Sequence, residues 1–276
     1  MSNWGEPPYR ADQIWHALYR TLAVSFKDIS NLPQGLRLRL SGHFRLGSLQ
    51  QEETLSSGDG RSRKALFQIA NDGQIEAVLM RYRDRCTACI STQAGCAIGC
   101  VFCATGQMGF ERNLSPGEIV EQVLWFAREL RSEGERLTNI VFMGMGEPFH
   151  NYEATVAALN SITDTDGFNL GARKITVSTV GLVPMIIRFA NEKRREKLAV
   201  SLHAATDEVR SSMVPINRRY PLSELIPACR HYLALAHRRI TFEWALVRGV
   251  NDTPEQARAL VKLVEGMLCH INIIPL

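Results

Sequence analysis

Apolar residues along this chain recur first at helical spacing, then in short strand-like runs separated by amphipathic stretches. Between Arg10 and Tyr19, the side chains of Ile14, Trp15, Leu18 and Tyr19 fall on one helical face. Asp28-Ile-Ser-Asn-Leu-Pro33 reads as a turn, and Leu36, Leu38 and Leu40 predict a second short helix after it. Between 46 and 82 the period shortens. Lys64–Ile69 and Gln74–Met80 read as strands flanking Asn71-Asp72-Gly73, and Asp-Gly between two such runs predicts a hairpin. From about residue 86 strands and helices alternate. The predicted strands are Thr87–Thr92, Asn139–Met145, Lys174–Thr179, Lys197–His203, Arg239–Val247 and His270–Pro275. The predicted helices are Ser115–Arg131, which opens on a Ser-Pro-Gly-Glu cap, then Tyr152–Ile162, Val183–Asn191, Leu222–His237 and Pro254–Met267. Repeated β/α units predict a parallel sheet with right-handed crossovers. The expected fold is therefore α/β, a partial (β/α)6 barrel, with a flat doubly wound sheet as the alternative. The expected organisation is a small N-terminal helical module over 1–45, a β-hairpin extension over 46–85 and the barrel over 86–276.

The length of 276 residues suits one large domain or one barrel with a small extension. No apolar run approaches the ~18 residues of a membrane span and no signal-peptide pattern is present, so a cytoplasmic protein without a membrane partner is expected. Seven cysteines in a reducing compartment read as metal ligands or catalytic thiols. The net charge of +4 is modest, but its distribution is uneven. Arg61, Arg63, Lys64, Arg81, Arg83 and Arg85 precede the first cysteines. A second group is Lys193, Arg194, Arg195 and Lys197, and a third is Arg218, Arg219, Arg238 and Arg239. Such groups suit a polyanion such as RNA; solvated faces of ordinary elements are the alternative.

The densest chemistry lies in Cys96-Ala-Ile-Gly-Cys100-Val-Phe-Cys103. Three close thiolates can hold three irons of a [4Fe–4S] cluster and leave the fourth iron open to a small molecule. A zinc site would need a fourth ligand nearby. His43 and His150 are distant, which leaves Cys86 or Cys89 for that alternative. The C-terminal ends of the other predicted strands carry Gly144-Met-Gly-Glu-Pro148, Ser178-Thr179 with Gly181, Ser201-Leu-His203, and Gly249-Val-Asn251-Asp252. In parallel barrels that end holds the reactive groups. Glycines there would let the backbone approach a ligand, and Glu147 could accept from an ammonium group. Ser201 and His203 could instead be core or capping groups, and Asn251-Asp252-Thr253 could cap the following helix.

The cysteine run resembles the signature of the radical S-adenosylmethionine (SAM) enzymes, with Phe102 at their usual aromatic position. The resemblance implies a [4Fe–4S] cluster on Cys96, Cys100 and Cys103, SAM on the open iron, and a radical SAM partial barrel. Over nearly the whole chain the sequence is similar to the radical SAM adenine-C2 methyltransferases of 23S ribosomal RNA and transfer RNA. The matching stretches are Thr87–Cys96, Cys103–Phe110 with Arg112-Asn113-Leu114, Gly144–Pro148, Val177–Gly181, Ser201–Ala204, Gly249–Asp252 and Asn272–Pro275, together with Pro8, Arg10 and Gln13 near the start. The resemblance implies SAM contacts at Gly146, Glu147, Ser178, Ser201, Leu202, His203 and Asn251. It also implies a methyl-cysteine intermediate, a transient disulfide involving Cys89, and Glu76 as the base that removes the C2 proton. From the residues alone, Glu76 reads as an exposed strand position and Cys89 as a small core residue. The family's methyl-carrying cysteine lies beyond the sixth strand. Neither Cys229, in a predicted helix, nor Cys269, before the last predicted strand, takes that place. The expectation is that the chain as written cleaves SAM without completing methylation. A C8-specific adenine methyltransferase, or an RNA-binding protein unable to complete the transfer, is the alternative. Expected partners are RNA and a reductant such as a flavodoxin or ferredoxin system, and a monomer is expected.

Overall fold

A computed structural model describes residues 1–69 and 73–276 of the chain. The N-terminal helices are α1 (Tyr9–Tyr19) and α2 (Gln34–His43). The strands are β1 (Gln50–Ser56), β2 (Ser62–Gln68), β3 (Gln74–Arg81), β4 (Cys86–Cys89), β5 (Gln93–Gly95), β6 (Phe110–Asn113), β7 (Asn139–Phe142), β8 (Ile175–Thr179), β9 (Lys197–Ser201), β10 (Ile240–Leu246) and β11 (Cys269–Pro275). The later helices are α3 (Ala104–Met108), α4 (Pro116–Ser132), α5 (Tyr152–Thr163), α6 (Val183–Asn191), α7 (Asp207–Met213), α8 (Leu222–Ala236) and α9 (Pro254–Leu263).

One sheet has the order β1-β2-β3-β4-β7-β8-β9-β10-β11. Strands β1 to β4 pair antiparallel, and β4 with β7 to β11 forms the six-stranded parallel part. The Asn71-Asp72 turn lies outside the described residues, and its flanks pair with Gln68 opposite Gln74. Strand β1, the β5–β6 ribbon, α3 and α7 are additions to the predicted elements. Three predicted barrel strands stop two or three residues short of their expected ends. Past Cys89, Phe142 and Ser201 the chain leaves the ladder for loops with left-handed backbone, at φ 97° for Gly146 and 60° for His203. Cys269 pairs with Ile240 and so opens β11 rather than preceding it.

The ladder register sorts every strand into two faces. One face carries Phe67, Ile75, Leu79, Ala88, Ile140, Phe142, Val177, Leu198, Val200 and Phe242, all buried against α4, α5, α6 and α8. Period-2 alternation sends their neighbours to the opposite face, the barrel lumen. There Glu76 lies on the side of Val78, Val78 pairs with Cys89, Cys89 with Val141, and Val141 with Thr176. Ser178 then pairs with Ala199, Ser201 with Glu243, and Glu243 with Asn272.

The N-terminal helices have a small core of their own in Ala17, Phe26, Ile29, Leu32, Leu36 and Leu40. Leu38, on the opposite side of α2, is exposed. Arg128 and Arg131 of α4 donate to the carbonyls of Leu22, Ala23, Thr21 and Arg20, which seats this module on the barrel wall. At the other end of α4, Ser115 and Glu118 form the predicted capping box. Arg112 binds the same Glu118 carboxylate in bidentate fashion at 2.7 and 3.1 Å, fixing β6 to the helix start.

Candidate active site

The three thiols of Cys96, Cys100 and Cys103 lie in the loop between β5 and α3. Gly95 at φ 69° starts the loop, and a Cβ there would sit 1.9 Å from the Gly109 carbonyl oxygen. The loop is closed by Cys96 N–H donating to Gly109 O at 2.7 Å. All seven cysteines are free. Burial pushes the Cys100 thiol up to about 12, with the neighbouring Cys103 and Cys96 sulfurs adding to the effect. Among the described residues no three His, Cys, Asp or Glu side chains converge on one point as ligands of a single ion. The three sulfurs are near enough to repel one another as thiolates. Three clustered thiols are the donor set of a cluster whose irons each take one sulfur.

Helix α7, absent from the sequence reading, supports this loop. Ile98, Cys100 and Phe102 pack with Val180, Met213 and Val214, and Val101 N–H donates to Met213 O. Arg210 of α7 is fully buried and holds the strand ends together. Its guanidinium donates to the carbonyls of Leu202, Val180 and Ser201 and to Asn217 Oδ1, at 2.6 to 3.2 Å. Burial holds it down at about 10. No local pattern in Asp207–Met213 marks a core arginine; its partners are backbone carbonyls brought together only by the fold.

Glu147 is 3% exposed. Its carboxylate accepts the Phe149 N–H at 2.9 Å and the Val180 N–H at 2.7 Å, yet burial still pushes it up to about 7. The Thr179 side chain adds a third hydrogen bond, and the carboxylate keeps acceptor capacity for a ligand donor. The glycines before it leave no room for a side chain. A Cβ on Gly144 would fall 2.6 Å from Ser91 Oγ, and one on Gly146 would fall 2.5 Å from Gln93 Cβ. Gln93, fully buried, accepts the Glu147 N–H at 2.8 Å and donates to Asn113 at 2.7 Å.

Ser178 and Ser201 face the lumen from adjacent strands. Leu202 turns into the core and gives its N–H to Glu243 O, so only backbone is available there. His203 accepts the Ala245 N–H on Nδ1 at 3.0 Å and packs edge-on against Phe102, with ring centroids 4.8 Å apart. Burial, then Arg210, lowers it to about 4, which keeps the ring neutral. Asn251 is buried and bonded within the fold. Its Nδ2 donates to His203 O and Ala245 O at 2.6 and 2.7 Å, and its Oδ1 accepts Val247 N–H at 2.7 Å. Both donors are spent on the backbone, and Thr253 caps α9 instead.

Glu76 is tied to the same end of the barrel through its backbone. Its carbonyl accepts Ser91 Oγ–H at 2.5 Å, and its N–H points at Met145 Sδ. The carboxylate pairs with Lys64 Nζ at 2.8 Å and remains half exposed. Cys89 keeps partial solvent contact as a residue while its sulfur is enclosed, and burial pushes the thiol up to about 12. Cys229 is buried inside α8 and Cys269 sits at the opposite end of the barrel.

The predicted basic groups divide. Arg63 pairs with Glu129 and Glu133, Arg81 with Glu133 and Glu135, and Arg194 with Glu196. Acids distant in sequence therefore neutralise much of the first group. Arg85, Lys174, Lys197 and Arg239 are in no ion pair among the described residues.

Three thiols at the C-terminal mouth of a partial parallel barrel, beside a buried carboxylate and two lumen serines, define a radical SAM protein. The family model for the Radical SAM superfamily matches residues 90–262, and that for the ribosomal RNA large subunit methyltransferase N-terminal domain matches residues 1–46. Members of the superfamily use a [4Fe–4S] cluster and SAM. The dual-specificity RNA methyltransferase RlmN 1 of Myxococcus xanthus is 52% identical over 276 residues, covering 100% of this chain and 77% of that protein. A probable dual-specificity RNA methyltransferase RlmN of Chloroflexus aurantiacus is 48% identical, covering 100% and 76%. The crystal structure of a radical SAM methyltransferase from Sphaerobacter thermophilus superposes with a TM-score of 0.98 at 52% identity, covering 100% of this chain and 81% of that one. The chain belongs to the RlmN family of radical SAM RNA methyltransferases. No helix among the described residues is long and apolar enough to cross a membrane.

Proposed function

We propose that this protein methylates C2 of adenosine in ribosomal and transfer RNA, in keeping with relatives named dual-specificity RNA methyltransferases. The observation that carries the reading is the register. It sets Glu76, Cys89, Ser178 and Ser201 on one lumen face, at the end where the three-thiol loop emerges. Cys96, Cys100 and Cys103 would hold the [4Fe–4S] cluster, and Glu147, Ser178 and Ser201 would hold SAM. Gly146, Leu202, His203 and Asn251 shape that pocket through backbone and packing. When bound, the cluster and SAM supply one-electron chemistry able to functionalise an electron-poor ring carbon.

The chain's own residues supply the rest. The Glu147 carboxylate orients an ammonium group, and its enclosure keeps water from competing. Glu76, ion-paired to Lys64 and half exposed, is placed to accept a proton from an adenine entering the mouth. Cys89 remains a protonated thiol until a base takes its proton, which restrains it from premature disulfide exchange. The N-terminal helices and the cations left unpaired by acids contribute the RNA surface. A flavodoxin- or ferredoxin-type reductant, a monomeric state and a cytoplasmic location complete the proposal.

The test is anaerobic reconstitution with iron, sulfide, reductant, SAM and an unmodified transfer RNA transcript. Nucleoside mass spectrometry follows 5′-deoxyadenosine and methylated adenosine separately. Loss of any one of the three loop cysteines should abolish 5′-deoxyadenosine. Glu76→Gln should leave SAM cleavage intact and lower whatever 2-methyladenosine the unmodified chain forms. Formation of 8-methyladenosine, or full methylation by Glu76→Gln, would overturn the assignment.

A further inference from the structure

The end of the barrel opposite the thiols carries a second arrangement of charge. Four strands bring a cation to their N-terminal ends: Arg85 before β4, Lys174 before β8, Lys197 opening β9, and Arg239 before β10. Lys197 pairs with Thr176, so it lies on the lumen side. Arg85, Lys174 and Arg239 each stand one residue before their strands, Lys174 at the end of a 3-10 turn, and all three lie close to Lys197. The four cations therefore form a partial ring at the lower end of the sheet, in the strand order β4, β8, β9, β10. Their mutual proximity is felt at Lys197. Burial lowers its basicity, and Arg239, Lys174, Arg85 and Arg238 lower it further.

Three of these cations, Arg85, Lys174 and Lys197, line a cavity of about 1110 Å³. Arg136 and Arg173 add two cations to its wall, in no ion pair among the described residues, and Tyr19 and Phe168 add aromatic surface. The N-terminal module closes one side. There Arg20 and Arg131 are spent on carbonyls, Arg20 to Thr165 and Arg131 to Thr21 and Arg20 itself. The two acids on the wall do little to balance the charge. Glu135 is engaged by Arg81, which leaves Asp84.

We propose that this cavity is a second RNA-contact site that grips backbone phosphates at the N-terminal mouth of the barrel. The inference rests on the RNA-modifying function proposed above and adds a place and a chemistry to it. Like charges held together without carboxylate partners are unfavourable until an anion enters, and guanidinium forks match phosphate oxygens. A polymer fits better than a single small anion. The cavity exceeds the volume of one phosphate, and the basic surface continues past it to Arg238, which donates to Arg195 O, and to Arg195. The site is also separate from the chemistry. Lys197 and Ser201 are the two ends of β9, so about 13 Å of strand lies between ring and mouth at roughly 3.3 Å per residue. The nucleotide held below is then not the one that reacts above.

The experiment compares the full chain with Arg173→Gln/Lys174→Gln, both exposed and in no ion pair, and with Arg258→Gln/Lys262→Gln on α9 as a control of equal charge change. Affinity for an unmodified transfer RNA transcript is measured by fluorescence anisotropy over a range of salt. The cavity variant should bind about tenfold or more weakly at low salt. Its log–log salt slope should be shallower by about 1 to 2, near one for each phosphate no longer neutralised. The α9 control should match the unmodified chain, and 5′-deoxyadenosine formation from SAM alone should be unchanged in all three. A cavity variant with the unmodified slope overturns this site while leaving the RNA function standing. Protection of the cavity by tripolyphosphate or an acidic peptide, with the RNA slope unchanged, also overturns it and names a different occupant. Salt-independent or absent RNA binding by the unmodified chain overturns the parent reading and this site together.

Discussion

Replacing Glu147 by Gln isolates what burial does to one carboxyl. In the folded protein this group ionises at about 7, against 4.5 for an exposed glutamate. A folded value above the unfolded one means that the folded state holds the proton more tightly. The associated stability is fully present below pH 4.5 and is lost as pH rises through about 7. Once both states are ionised, the loss amounts to about 3 kcal/mol at ~1.36 kcal/mol per pH unit of difference. Between pH 5 and pH 8 the part still to be lost is about 2.5 kcal/mol. Gln cannot ionise, so its stability should lack this component. It carries its own constant cost, because its NH2 group must face one of the two N–H donors, Val180 or Phe149, that the carboxylate now serves. Urea unfolding of the cluster-free protein at several pH values, for both forms, gives the difference directly. Their stability difference should move by about 2.5 kcal/mol in favour of Gln from pH 5 to pH 8. Parallel pH profiles would refute the claim that this carboxyl is held out of water. In the intact site a bound ammonium group should draw Glu147 back down, so SAM binding near pH 6.5 should release a proton, detectable by calorimetry in buffers of different ionisation enthalpy.

Arg210→Met removes every donor from four buried acceptors and should cost about 3–5 kcal/mol by denaturant titration, with Arg210→Lys recovering only part because an ammonium cannot reproduce the fork. Gly95→Ala should lower thermal stability and iron retention together, since its Cβ would meet the Gly109 carbonyl at a left-handed backbone position; full retention of both would show that the ribbon can shift aside. Cys89 should resist iodoacetamide at pH 8 in the folded protein and react on unfolding, because its thiol is held near 12; mass spectrometry of the alkylated peptide follows this, and rapid folded-state modification would contradict the burial.

The parallel strands were legible because buried apolar runs such as Ile140-Val-Phe142 and Leu198-Ala-Val200 leave few other readings. Strand β1 was not, because Gln50–Ser56 is almost wholly polar and lies at the sheet edge. The β5–β6 ribbon is only 3 and 4 residues long on its two sides, too short to show an alternation. Cys96, Cys100 and Cys103 declare themselves by local spacing. What Glu76 and Cys89 face depends on register, which no local pattern records. The same is true of Arg210, Gln93 and Gln122, whose partners are backbone groups elsewhere in the chain. Gln122 bonds both the N–H and the carbonyl of Ser91, standing in for a neighbouring strand where β4 has ended. The resemblance implies a ligand contact at Asn251; that its amide also locks the β9 and β10 ends together is recorded by no local pattern.

The placement of Cys89 between a near neighbour in sequence and a remote one bears on how the protein matures. Its pairing with Val78 closes within a meander, whereas its pairing with Val141 waits for the β5–β6 ribbon and α4 to form and cross over. Contacts of such different sequence separation form on different timescales. A half-assembled chain can thus present the antiparallel meander long before the parallel strands close the lumen. Until they do, the three thiols have no α7 behind them and no carboxylate beside them. Iron offered before the lumen closes would meet an open, oxidisable loop.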